Sequence, residues 1–238
     1  MSEPKTPSKN ASSDVAPGSS SSAELDAFLN KVQSLQPAAA GTGRMIFAMD
    51  ATMSRQPTWD LPHPDIVEQL GTVKEVGGLD VQLIYFRGFG ECRSSSWVGD
   101  PDALARLMRQ VHCEGGHTQI RKVLSHARRE TERQTVNALV YVGDCMEESI
   151  DDLSQFAGEL GLVGVPVFVF QEGHDVGAEK AFKEIARLSR GAYCRFDAGS
   201  AAQLRALLKA VAVYATGGRK APQNGKSDAA TLLLEQLR

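Results

Sequence analysis

Two unbroken apolar runs stand out, residues 45–49 (Met-Ile-Phe-Ala-Met) and 138–142 (Ala-Leu-Val-Tyr-Val), and each leads into an acid, Asp50 and Asp144. An apolar run without alternation fits a strand covered on both faces, as in the centre of a parallel sheet. Further strands are predicted over residues 80–86, 91–97, 165–170 and 192–196. Between them apolar residues recur at helical spacing: Leu104, Leu107, Met108 and Val111, then Ile120, Val123, Leu124 and Ala127, followed by helices over 150–160, 178–189 and 201–214. Gly88-Phe89-Gly90 is too short for a parallel crossover, so the third strand should run antiparallel to the second. The expected fold is α/β: a doubly wound, mostly parallel six-stranded sheet with one antiparallel edge strand and helices on both faces.

The ends of the chain depart from this alternation. Residues 1–20 carry too little apolar content to bury anything and are expected to form a disordered tail. Ser21-x-x-Glu24 forms a capping box, and Leu25, Phe28, Leu29 and Val32 share one helical face, so residues 21–43 are expected to hold a short amphipathic helix and a linker. That helix either docks on its own domain or enters a partner's groove. Pro62 and Pro64 place a long loop over residues 51–63, before a helix with Ile66, Leu70 and Val73 facing inward. The folded domain is expected over residues 44–216, and residues 217–238 read as a linker and a short C-terminal helix.

Composition narrows the function classes. With 42% hydrophobic and 23% charged residues among 238, the chain suits one sizeable soluble core. A net charge of −3 and a pI near 6.0 provide no global basic field, so no nucleic-acid partner is expected. Cys92, Cys113, Cys145 and Cys194 form neither a C-x-x-C pair nor a disulfide framework. The first 22 residues lack a signal-peptide core and no run has the length of a membrane span, so a cytoplasmic, membrane-free monomer is the expectation.

In a doubly wound sheet the first and fourth strands become neighbours at the switch point, which would set Asp50 beside Asp144. Adjacent carboxylates repel unless one is protonated, basic groups intervene or a cation lies between them. Thr52 and Ser54 follow Asp50 directly, and Thr118 follows Gly115-Gly116 at a predicted helix start. Five oxygen donors with few charges select a hard ion that keeps waters, which suits Mg²⁺, with Mn²⁺ or Ca²⁺ as alternatives. The competing reading is that the hydroxyls cap turns and backbone N–H groups satisfy the acids.

Asp50-x-Thr52-x-Ser54, then Thr118, then Asp144 resembles the metal-ion-dependent adhesion site of von Willebrand factor A (vWA) domains, and the element order over 44–216 resembles that Rossmann-like fold. The resemblance, which extends to small stand-alone bacterial members, implies that Thr52, Ser54 and Thr118 coordinate directly while Asp50 and Asp144 act largely through waters. Two departures stand out: Thr52 replaces a serine, and Cys145 replaces the glycine that often follows the second acid. The resemblance also implies a binding module completed by a partner's Asp or Glu, with an AAA+ ATPase, a chelatase or a stress-system component as the partner class.

Trp59, Arg87, Glu147, Glu148, Glu172, His174 and Asp175 lie where loops should rim the same sheet edge, as candidate partner contacts or plain solvated surface. A metal-dependent hydrolase with His117 as general base is the principal rival. Thr52 stands where a haloacid dehalogenase-type phosphatase would carry its second acid. Cys145 as a nucleophile lacks an assignable histidine partner. No G-x-G-x-x-G follows the first strand, which disfavours dinucleotide binding. A scaffold that recruits through its terminal helices is a third class.

Overall fold

The computed structural model describes residues 22–35, 43–55, 78–196 and 201–217. The expected tail, the loop with Trp59, the helix through Ile66 and the C-terminal helix lie outside the described residues. The six-stranded sheet has the order β3-β2-β1-β4-β5-β6, with β1 at Gly43–Asp50, β2 at Leu79–Arg87, β3 at Glu91–Val98, β4 at Ala138–Gly143, β5 at Val167–Glu172 and β6 at Ala192–Phe196. β3 pairs antiparallel with β2, and the other pairings are parallel. The switch point falls where expected: β1 pairs with both β2 and β4.

Strand alternation sends successive side chains to opposite faces, so an apolar run such as β1 feeds two cores at once. Met45, Phe47 and Met49 enter one core with residues of α1 (Ser22–Ser34), α2 (Pro101–Arg109) and α6 (Ala201–Ala215). Ile46 and Ala48 enter the other, beneath α3 (Ile120–Arg133), α4 (Ile150–Leu162) and α5 (Val176–Leu188). The α1 stripe is closed within the chain itself. Leu25, Phe28, Leu29 and Val32 are buried, and the Phe28 ring meets Phe168 at 6.0 Å and Phe170 at 5.4 Å.

Several elements begin or end away from their predicted limits because buried polar groups found partners that periodicity does not register. β1 starts before the apolar run: Arg44 is buried over the Trp97 ring at 3.7 Å, pairs with Glu130 at 3.5 Å and donates to the Gln134 carbonyl. β5 lies two residues later than predicted, with Gln171 accepting from the Tyr193 hydroxyl and Glu172 accepting from Arg55. α5 opens at Val176 because the Asp175 side chain caps it by accepting from the Ala178 N–H. Val111 lies beyond α2 but stays in the core. Among the described residues no helix is long and apolar enough to cross a membrane.

Because α1 fills a core position, Phe28→Ala should cost about 3–5 kcal/mol in denaturant unfolding, whereas Glu24→Ala on the exposed face should cost less than about 0.5 kcal/mol. An unchanged midpoint for Phe28→Ala would show that the helix is not integral to the fold.

Candidate metal centre

β1 and β4 are in register from Met45↔Ala138 to Met49↔Val142, so the chain leaves the two strands side by side, with Asp50 ending β1 and Asp144 just past β4. One oxygen of each carboxylate and the Cys145 sulfur lie within 4.8 Å of one another. Asp50 is fully buried, and its Oδ1 accepts the Thr52 N–H at 2.8 Å, closing the turn as the capping alternative requires. That turn accounts for only one oxygen. Asp50 Oδ2 and Asp144 Oδ1 are both buried without a hydrogen-bond partner, a costly state for carboxylate oxygens that a cation would relieve. Burial, opposed by hydrogen bonds from Thr52 and reinforced by the Asp144 charge, pushes the Asp50 carboxyl up to about 6.

The hydroxyls cluster on the same edge. Thr52 is buried and Ser54 exposed, with their oxygens 3.0 Å apart, and Ser54 Oγ lies 3.8 Å from Cys145 Sγ. Burial, then the neighbouring Asp144 and Asp50 charges, pushes the Cys145 thiol up to about 12. In the protein free of metal it is therefore a neutral thiol and a poor nucleophile.

Thr118 differs from its expected role at the helix start. The residue before α3 is Gln119, which makes no side-chain cap, and the Glu148 carboxylate instead accepts the Ile120 and Arg121 N–H groups. Thr118 is buried and tied to the loop after Asp144: its N–H donates to Glu147 Oε2 at 3.1 Å, and its hydroxyl accepts the Glu147 N–H at 3.0 Å. Of the two preceding glycines, Gly116 is required by a close backbone approach, since a Cβ there would overlap the Gly88 carbonyl, whereas Gly115 has open space around it. A bridge between Thr52 and Glu114 fixes this loop beside the Asp50 turn.

The expected rim divides. Arg87 bonds Glu91 and the His112 carbonyl. Glu147 is exposed and holds His117 Nδ1 at 3.1 Å, while the Phe89 ring stands edge-on to His117. His174 is exposed, and Asp175 serves as the α5 cap. Glu172 is no rim residue: it is buried and pairs with Arg55 at 2.8 Å. Arg55 was not singled out by the sequence, although it sits one residue beyond the motif. Its guanidinium donates to Glu172 and to the Asp50 carbonyl, anchoring the motif turn to the end of β5. A charged residue in a short turn gives no periodic signal of burial.

No sequence-family profile matches the chain, and no curated protein matches it in sequence. Solved structures do match in fold. A von Willebrand factor type A protein from Catenulispora acidiphila aligns with a TM-score of 0.57 at 16% identity over 74% of this chain and 44% of its own. Proximal thread matrix protein 1 from the mussel byssus, whose structure holds a zinc-occupied metal-ion-dependent adhesion site, aligns at 0.60 and 16% identity over 73% and 46%. An aerotolerance-related membrane protein from Bacteroides fragilis NCTC 9343 aligns at 0.55 and 18% identity over 71% and 98%. The chain thus spans under half the length of two of these three structures. Its fold is that of a von Willebrand factor A domain.

The buried carboxylate has a measurable consequence. The folded-state value of about 6 for Asp50 exceeds the ordinary 3.8, so without a cation its contribution to stability falls as pH rises from about 4 through about 6. In chelator, Asp50→Asn should therefore stabilise the protein by up to about 3 kcal/mol at pH 7.5 and by much less at pH 4. A pH-independent difference between the two proteins would contradict this.

Proposed function

We propose that the chain is a metal-dependent protein-binding module that engages a partner's Asp or Glu through a divalent cation at this edge. The observation that carries the reading is the pairing of buried Asp50 with half-buried Asp144, with one buried oxygen of each lacking a hydrogen-bond partner. Asp50 and Asp144 supply the negative charge, and Thr52, Ser54 and Thr118 are the hydroxyl ligands. A cation held there would supply the positive charge that an incoming carboxylate requires. The Thr118 hydroxyl accepts the Glu147 N–H at 3.0 Å. A hydroxyl so engaged keeps one lone pair for a ligand.

Mg²⁺ suits the oxygen set best, with Mn²⁺ or Ca²⁺ next. The Cys145 sulfur beside both acids adds a soft donor that favours Zn²⁺ in competition. Arg87, Glu147 and His174 rim the edge and select the partner, for which an AAA+ ATPase or stress-system component is the class suggested by fold analogy. The rival hydrolase finds its support in the pair His117 and Glu147 at 3.1 Å, a carboxylate-oriented imidazole near the site.

Affinity capture with the full chain tests the binding reading. The partner should be retained in Mg²⁺ and lost in EDTA, and Asp50→Ala and Thr118→Ala should each weaken retention at least tenfold. Equal retention throughout would refute a metal bridge. Mg²⁺-dependent turnover of phosphate esters that disappears in His117→Ala would instead assign the hydrolase.

A further inference from the structure

A second site lies away from the carboxylate edge, between β3 and α3. A cavity of about 360 Å³ opens there with Arg93, Arg121, Lys122, His126 and Arg129 among its lining residues, and none of those residues is acidic. The size falls within the range of small-ligand pockets. The charge is unusual for a chain of net charge −3. Helical spacing produces it: Arg121, Ser125 and Arg129 recur every four residues on one stripe of α3, and Lys122 and His126 lie on the adjoining one.

The cations are only partly compensated. Lys122 Nζ is held by neutral acceptors, the Gly90 carbonyl at 3.0 Å and Gln119 Oε1 at 2.7 Å, which position its charge without cancelling it. Among the described residues Arg121 and Arg129 make no ion pair, whereas Arg93 pairs with Glu91 at 2.7 Å. Of the acids nearby, Glu91 is held by Arg87 and Arg93, Glu130 by Arg44 and Arg133, and Glu148 by the backbone N–H groups at the start of α3. Ser94 and Ser125 add hydroxyl donors from the two walls. Cys92 also lines the cavity; burial raises its thiol even though the Lys122 and Arg129 charges lower it, so the cysteine is a neutral wall and the chemistry is binding.

We propose that this cavity binds a phosphate monoester group, with Arg121, Arg129 and Lys122 neutralising it and Ser94 and Ser125 donating to its oxygens. Guanidinium forks match phosphate oxygens in pairs, and a fixed ammonium supplies point charge. A small phosphorylated metabolite and a phosphorylated side chain present the same dianion, and the probes below separate them.

The test uses the full chain in EDTA, so that no phosphate binds through a metal. Phenyl phosphate and a phosphoserine peptide are titrated by calorimetry at fixed ionic strength, against benzyl alcohol and the unphosphorylated peptide. Saturable binding of either phosphorylated probe, weakened at least tenfold in Arg121→Gln/Arg129→Gln and unchanged in Arg187→Gln, supports the site. Preference for phenyl phosphate assigns a small ligand, and preference for the peptide assigns a phosphorylated protein. Circular dichroism and thermal melting confirm that the exposed double variant remains folded. Binding of neither probe, or binding equally strong in the folded double variant, overturns the proposal.

Discussion

The pairing of β1 with β4 is the constraint on which the rest of this structure depends. It closes the switch point of the sheet, and by its register brings buried Asp50 and half-buried Asp144 to adjacent strand ends. Each strand is packed on both faces, so the acids cannot retreat without disturbing two cores. Two like charges fixed in that way demand a counter-charge or a proton.

The surroundings are arranged to hold the acids in place. Thr52 takes one oxygen of Asp50 through its N–H, and Arg55 takes the Asp50 carbonyl while pairing with Glu172 below. The loop bearing Thr118 is locked to the loop after Asp144 by two hydrogen bonds and to the Gly88 turn by backbone contact. A buried ion pair such as Arg55 with Glu172 is weak evidence for stability, since its desolvation is costly. Its value here is positional, because it fixes the turn that carries the hydroxyls. The edge is thus tied down by hydrogen bonds around the acids and exposed where Glu147 and His117 stand.

Much of this was legible in the sequence. Apolar runs and helical spacing located the strands, the antiparallel edge and the β1–β4 neighbourhood, because those features follow from periodic burial. Asp50, Asp144 and the hydroxyls could be singled out because turn capping alone does not require an acid at the end of both central strands. Arg44, Arg55, Gln171 and Glu172 were hidden, since a buried polar side chain looks exposed until its partner is known, and those partners lie far away in sequence. The capping of α3 by Glu148 was hidden for the same reason. So was the basic cavity, which joins a helix stripe to a strand that no local pattern connects.

Whether the paired acids hold a cation is measured most directly by Mn²⁺ binding, followed by electron paramagnetic resonance on the full chain. One bound ion per chain is expected, displaced by Mg²⁺ and lost in Asp144→Ala with the fold intact. No saturable site, or binding unaffected by Asp144→Ala, would contradict a metal centre at this edge.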